Sequence, residues 1–253
     1  MEASTGSEST LQQIQQWYHQ CNCEHKKCSA SKDVSLPSRL LYIEGNSLRL
    51  CESSSLPVLW SNERPQYAAL SHCWGDIDFI KLLQSNISEF LNDIPLNQLT
   101  KTFRDAITIT KSLGLTFLWI DSLCIIQDSI DDWRKESALM ADVYGGSAIT
   151  VAAADAKNSS IGCFFQRSPK EICSLHLQTA KRSYSVTELM SQSSGVKNSL
   201  LFKRAWAFQE RVLSPRILHF TRTQVFWKCR GGELASELHD DAKSICVKIT
   251  KLA

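Results

Sequence analysis

A serine, a histidine, a thiol and a carboxylate fall within six positions in "SHCWGD", Ser71 to Asp76, directly after the short apolar run Tyr67 to Leu70. Such a cluster at the end of a buried strand offers either reacting groups or the wall of a ligand site. Adjacent strand residues point to opposite faces, so His72 and Cys73 are poorly placed to act on each other as base and nucleophile. Trp74 before Gly75 reads equally as a stacking wall with close backbone approach or as a core tryptophan beside a turn. A second strand, "TFLWID", ends at Asp121, a few residues before Gln127. If the two strands are neighbours, Ser71, His72, Trp74, Gly75, Asp76, Asp121 and Gln127 gather at one mouth, where ligands collect in an open α/β sheet.

The next helical stretch contributes Glu136. At about 100° per residue, Trp133, Leu139, Met140, Val143 and Tyr144 share one side, and Glu136 lies among them. A carboxylate so placed is desolvated, paired or turned toward a cleft, which suits either catalysis or a structural ion pair with an arginine. A later helix carries an apolar stripe of Phe202, Ala205, Trp206, Val212 and Leu213, with Gln209 among them and Arg204, Glu210 and Arg211 flanking it. Trp206 and Gln209 are therefore expected to brace this helix against the sheet.

Near the amino terminus, Leu11, Ile14, Tyr18, Cys21, His25 and Cys28 form a helical stripe. Cys21, His25 and Cys28 are metal-like in type, but three ligands do not close a tetrahedral site, so helix burial is the expected reading and no metal is expected. Cys73 and Cys124 are candidate nucleophiles for a cysteine hydrolase, with buried inert thiols as the simpler account.

These residues need elements to position them. From Tyr67 the order reads strand (Tyr67 to Ser71), helix (Phe79 to Leu91), helix (Thr100 to Leu113), strand (Thr116 to Asp121), helix (Asp131 to Tyr144) and strand (Ala148 to Ala154). This alternation predicts an α/β unit with a largely parallel sheet flanked by helices. Ahead of it lie the amino-terminal helix and a small hairpin around Gly45 and Asn46. After Gly162 come "SLHLQ" and "SYSVTEL" as antiparallel strands, a helix from Leu200 to Leu213 and a strand pair in "RILHFTRTQVFWKC", together a carboxy-terminal α+β extension. The tail from His239 to Ala253 shows no partner pattern. The expected divisions are 1–60 for the flank, 61–165 for the core and 166–253 for the rest.

Composition removes several classes of function. With 28 basic and 26 acidic residues, a net charge of +2 and no basic stripe, nucleic acid is not indicated. The polar, acidic start "MEASTGSEST" is unlike a secretory signal, and no apolar run reaches the roughly 18 residues of a membrane span. Ten scattered cysteines without an export signal suggest free thiols in a cytoplasmic protein.

Together, "YAALSHCWGD", the long block from "TFRDAITITKSLGLTFLWID" to "SAITVAAA", and "RAWAFQERVLSPRILHF" resemble the three blocks of the fungal heterokaryon incompatibility (HET) domain. The flanks "WYHQCNCEHKKC", "LPSRLLYI" and "WKCRGGELASE" are similar to that family's usual surroundings. The resemblance implies a cytosolic allorecognition protein whose activation kills the cell. It also implies a remote TIR-like, flavodoxin-like fold, in which Trp133 to Glu136 is similar to the Trp-x-x-Glu of TIR enzymes that cleave NAD. On that reading NAD is the substrate, Glu136 is the catalytic carboxylate, the Ser71 to Asp76 loop holds the dinucleotide, and no cofactor is required. The alternative is a non-enzymatic module acting by self-association or by recruiting an NLR-like or other incompatibility partner. Family members often carry long additional regions, so this chain reads as a short form.

Overall fold

In a computed structural model the described residues are 4–28, 34–58, 64–167, 174–179, 182–188, 196, 198–235 and 247–252. Helix α1 (Glu8–Glu24) starts at Ser7, whose side chain accepts from the Thr10 N–H. A hairpin of β1 (Arg39–Glu44) and β2 (Ser47–Glu52) turns at Gly45, where φ is +57°. Then β3 (Tyr67–Ser71) leads through α2 (Ile87–Asn92) and α3 (Lys101–Ser112) to β4 (Phe117–Trp119). Short α4 (Asp121–Cys124), α5 (Ile130–Ala138) and α6 (Met140–Gly146) connect to β5 (Ile149–Ala152). Strands β6 (Ser174–Thr179) and β7 (Arg182–Glu188) precede α7 (Ala205–Leu213), β8 (Arg216–Phe220), β9 (Val225–Cys229), β10 (Gly232–Ala235) and β11 (Val247–Leu252).

Eight strands form the main sheet in the order β10-β9-β8-β5-β3-β4-β1-β2. Its four central strands, β8-β5-β3-β4, run parallel, and antiparallel pairs extend it at both edges. The centre is parallel because β3 and β5 are buried along their whole length, as strands covered on both faces must be. Read in chain order, the parallel strands are arranged 2-1-3-4, the flavodoxin-like doubly wound order. The chain leaves β3 to one side for β4 and then crosses to its other side for β5, so a topological switch lies between the carboxyl ends of β3 and β5. The flanking hairpin and the later strand pair both belong to this sheet. Strands β11, β7 and β6 make a separate antiparallel sheet, giving the tail the partner that its sequence did not suggest.

Several boundaries differ from the sequence reading. Residues 79–86 are not helical: Leu82 N–H donates to Ser122 O at 2.9 Å, Gln127 N–H to Leu82 O at 2.9 Å, and Gln84 N–H to Asp128 Oδ1 at 2.9 Å. The segment spends its backbone groups on the loop after β4 instead of on itself. The helix expected from Asp131 to Tyr144 is broken at Leu139 into α5 and α6. The helix expected from Leu200 is a 3-10 turn (Leu201–Lys203), interrupted by extended Arg204 before α7.

Candidate functional site at the switch point

Ser71 ends β3 opposite Ala152 of β5, so its side chain stands at the switch itself. The hydroxyl of Ser71 donates to Glu210 Oε2, and the phenol of Tyr144, which donates to Leu70 O at 3.3 Å, lies beside that carboxylate. Arg204 closes the arrangement from the far side by donating from Nη1 to His72 O at 2.7 Å. Beside it a cleft is lined by Ser71, Ala152, Leu201, Ala207, Ile217 and His219. Two segments far apart in sequence thus meet here, one from the end of β3 and one from the start of α7.

The electrostatics follow from burial. Desolvation, reinforced by the neighbouring Asp121 carboxylate, lifts Glu210 from 4.5 to about 7, against the opposing hydrogen bond of Ser71 and the charge of Arg204. Burial first, then the charges of Glu210 and Asp121, holds Tyr144 well above its ordinary value, so it remains a donor. Burial keeps His72 neutral although Asp121 opposes this, and burial with the cations of Arg211 and Lys228 pushes His219 down to about 3. The Nε2 atoms of both histidines lack a hydrogen-bond partner among the described residues. The site therefore presents a carboxylic acid poised near neutrality, a fixed phenol, a hydroxyl and two neutral imidazoles.

The second strand end lies beside the first. Asp121 Oδ2 accepts from Trp74 Nε1 at 2.9 Å, Oδ1 accepts from the Ser122 N–H at 2.7 Å, and Oδ1 lies 4.0 Å from His72 Nδ1. Trp74 meets Phe79 edge-on at 5.6 Å, and Lys81 lies over both rings. Gly75 has φ +70°, and a Cβ there would stand 2.2 Å from Asn158 Cβ, so the loop after β3 turns only with glycine. Asp76 is exposed at the rim. Gln127 donates to Asp121 O at 3.2 Å and to Ile125 O at 2.9 Å, bracing the loop from within.

Glu136 has other neighbours. It is 1% exposed, with Oε1 3.9 Å from Arg39 Nη2, and neither of its carboxylate oxygens has a hydrogen-bond partner among the described residues. Arg39 is held by Asp132 at 2.5 Å and donates from Nε to Cys124 O at 2.7 Å. The ion-pair reading thus has its arginine, supplied by β1. Trp133, expected on the apolar side with Glu136, is 54% exposed. In α7 the inward positions are Ala207, Glu210 and Leu213, while Gln209 is exposed and Trp206, Phe208 and Val212 are 62%, 58% and 60% exposed. The bracing role expected of Trp206 and Gln209 falls to their neighbours. Glu210 and Arg204, which flank that stripe in sequence, are the residues turned toward the site. The three-residue spacing of Ala207, Glu210 and Leu213 was the signal available.

The thiols are not nucleophiles. Cys73 is raised by burial and packs with Ala152, Leu201, Ala207 and Ile217, and burial pushes Cys124 up to about 12. Both surroundings disfavour the thiolate that a cysteine hydrolase needs.

Fold and site together define a doubly wound α/β protein with a buried Ser71–Glu210 pair beside a small, mostly apolar cleft at its switch point. More specifically, the profile of the heterokaryon incompatibility protein (HET) family matches residues 67–210, more than half of the chain, and the chain belongs to that family. The matched span opens at β3 and closes on Glu210, the two sides of the site. No curated protein and no solved structure matches the chain. No helix among the described residues is long and apolar enough to cross a membrane.

Proposed function

We propose that this protein is a cell-death effector of fungal allorecognition that cleaves NAD at the nicotinamide glycosidic bond, with Glu210 as the reacting carboxylate. The observation that carries the reading is the Ser71–Glu210 pair at the topological switch, where doubly wound sheets bind nucleotides. Breaking the nicotinamide–ribose bond builds oxocarbenium-like positive charge on the sugar. A carboxylate in a low-dielectric cleft stabilises that charge, or holds the ribose hydroxyls through which it develops. Ser71 and Tyr144 orient Glu210 and keep its protonation balanced, so that the ionised form is available at neutral pH. Trp74, fixed by Asp121, offers an aromatic face for the base, and His72 and His219 offer neutral polar contacts. Glu136, which the sequence favoured for the catalytic role, is assigned to the Arg39 cluster instead.

The test is nicotinamide release from NAD by the purified chain. Glu210→Gln keeps size and removes charge, and is expected to lower the rate by roughly a hundredfold or more, the several kcal/mol that an electrostatic contact contributes in a transition state. Glu136→Gln measured alongside separates the two carboxylates. Loss of release in Glu136→Gln with full activity in Glu210→Gln would return the role to Glu136.

A second reading rests on a different observation. Phe208 and Val212 share an exposed apolar side of α7, and Trp206 is exposed in its first turn, which suits self-association or a partner protein. Killing by Glu210→Gln in cells whose NAD stays intact would favour it.

A further inference from the structure

Three possible metal ligands come from one helix end. Cys21 lies in the last turn of α1, and His25 caps the helix, its N–H donating to Cys21 O at 3.1 Å. A 3-10 turn (Lys26–Cys28), closed by Cys28 N–H to His25 O at 2.9 Å, swings Cys28 back beside them. The fourth comes from the end of β9: Cys229, 204 residues after His25, places its Sγ 3.3 Å from His25 Nδ1. The four ligand atoms all lie within 4.8 Å of one another. The expectation of no metal rested on a missing fourth ligand, and Cys229 supplies it.

We propose that Cys21, His25, Cys28 and Cys229 form a structural zinc site that fastens α1 to the far part of the main sheet. Zinc takes sulfur at about 2.3 Å and nitrogen at about 2.0–2.1 Å, so a tetrahedral site holds its ligand atoms about 3.5–3.8 Å apart. Small side-chain rotations reach that spacing from the arrangement present. Three thiolates and one neutral imidazole select zinc by softness and geometry over magnesium or calcium, and four protein ligands leave no position for catalysis.

The surroundings are those of a thiolate site. Cys229 Sγ accepts from the Gly231 N–H at 3.3 Å, and Cys21 Sγ accepts from Arg216 Nε at 3.2 Å. Arg216 is buried and fixed by Ala148 O at 3.0 Å and Asn22 Oδ1 at 2.6 Å, so its cation offsets the single negative charge that three thiolates leave around a divalent ion. Gly231 is required for a second reason. A Cβ there would stand 2.4 Å from His25 Nδ1, inside the space of the ligand itself. Cys23, exposed on the other side of α1, takes no part.

The full chain, purified without chelator or a metal-affinity column, is expected to carry about one zinc by elemental analysis, as one closed site requires. Cys229→Ser and Cys28→Ser lower that toward zero, and Cys23→Ser keeps it. Cobalt added to chelator-stripped wild-type protein gives the intense visible bands of a tetrahedral site together with thiolate-to-cobalt charge transfer. This reading needs no variant to fold. Zinc-free wild-type protein that gives only the weak bands of octahedral cobalt would overturn the proposal. So would unchanged zinc content in Cys229→Ser, or a disulfide among the three cysteines in protein purified under reducing conditions.

Discussion

Glu210 is costly to the fold because its carboxyl is desolvated at the switch point. Its carboxyl binds a proton more tightly in the native state than in the unfolded chain, where the ordinary value of 4.5 applies. Stability linked to it is therefore complete below about pH 4.5 and is lost as pH rises through about 7, with no further change above that. Thermal unfolding of wild type and Glu210→Gln compared across pH 5 to 8 is expected to show the melting temperature of the variant gaining on that of wild type as pH rises. A constant gap would mean that the carboxyl is not desolvated as described. Glu136 belongs to a different economy, with Asp132, Cys124 O and Glu136 gathered around Arg39. Such a buried cluster is held together because removing one member strands the others.

At the scale of the element, α7 shows where pattern reading succeeds and where it stops. The helix itself was legible, as were β3, α3 and β5, because their apolar residues recur with the right period between clear stops such as Gly114, with φ +72°. Its orientation was not. A stripe drawn through Phe202, Trp206, Val212 and Leu213 assumes that the largest apolar residues face inward. Extended Arg204 resets the phase between the 3-10 turn and α7, so a single wheel cannot span both. The site was legible by half for a related reason: Ser71, His72, Trp74 and Asp121 sit at strand ends that sequence can place, whereas Glu210 is brought there only by the pairing of β8 with β5. Trp206→Ala is accordingly expected to change stability by no more than about 0.5 kcal/mol, as surface substitutions do. A drop in melting temperature of more than a few degrees would show that this face is covered.

Over the whole molecule, the amino-terminal helix is part of the architecture. Trp17 of α1 meets Trp227 of β9 at 6.4 Å, Gln15 donates to Ser112 O at 2.6 Å at the end of α3, and Ile14, Trp17, Tyr18 and Cys21 are buried. Helix α1 thus covers one face of the sheet through contacts that are independent of any metal. Trp17→Ala is expected to cost about 3–5 kcal/mol, the usual toll of emptying a buried aromatic position. Chemical denaturation with an unchanged midpoint would show that α1 packs without it.

The Ser71–Glu210 pair also sets a timetable. Its partners are 139 residues apart, with the serine made first. At about 5–20 residues per second on the ribosome, roughly 7–28 s separate them. During that interval β3, β4 and β5 can pair in the nascent chain while the carboxylate does not yet exist. A polypeptide interrupted between β5 and α7 holds Ser71 and Asp121 without Glu210. The complete pair therefore exists only once translation has passed α7.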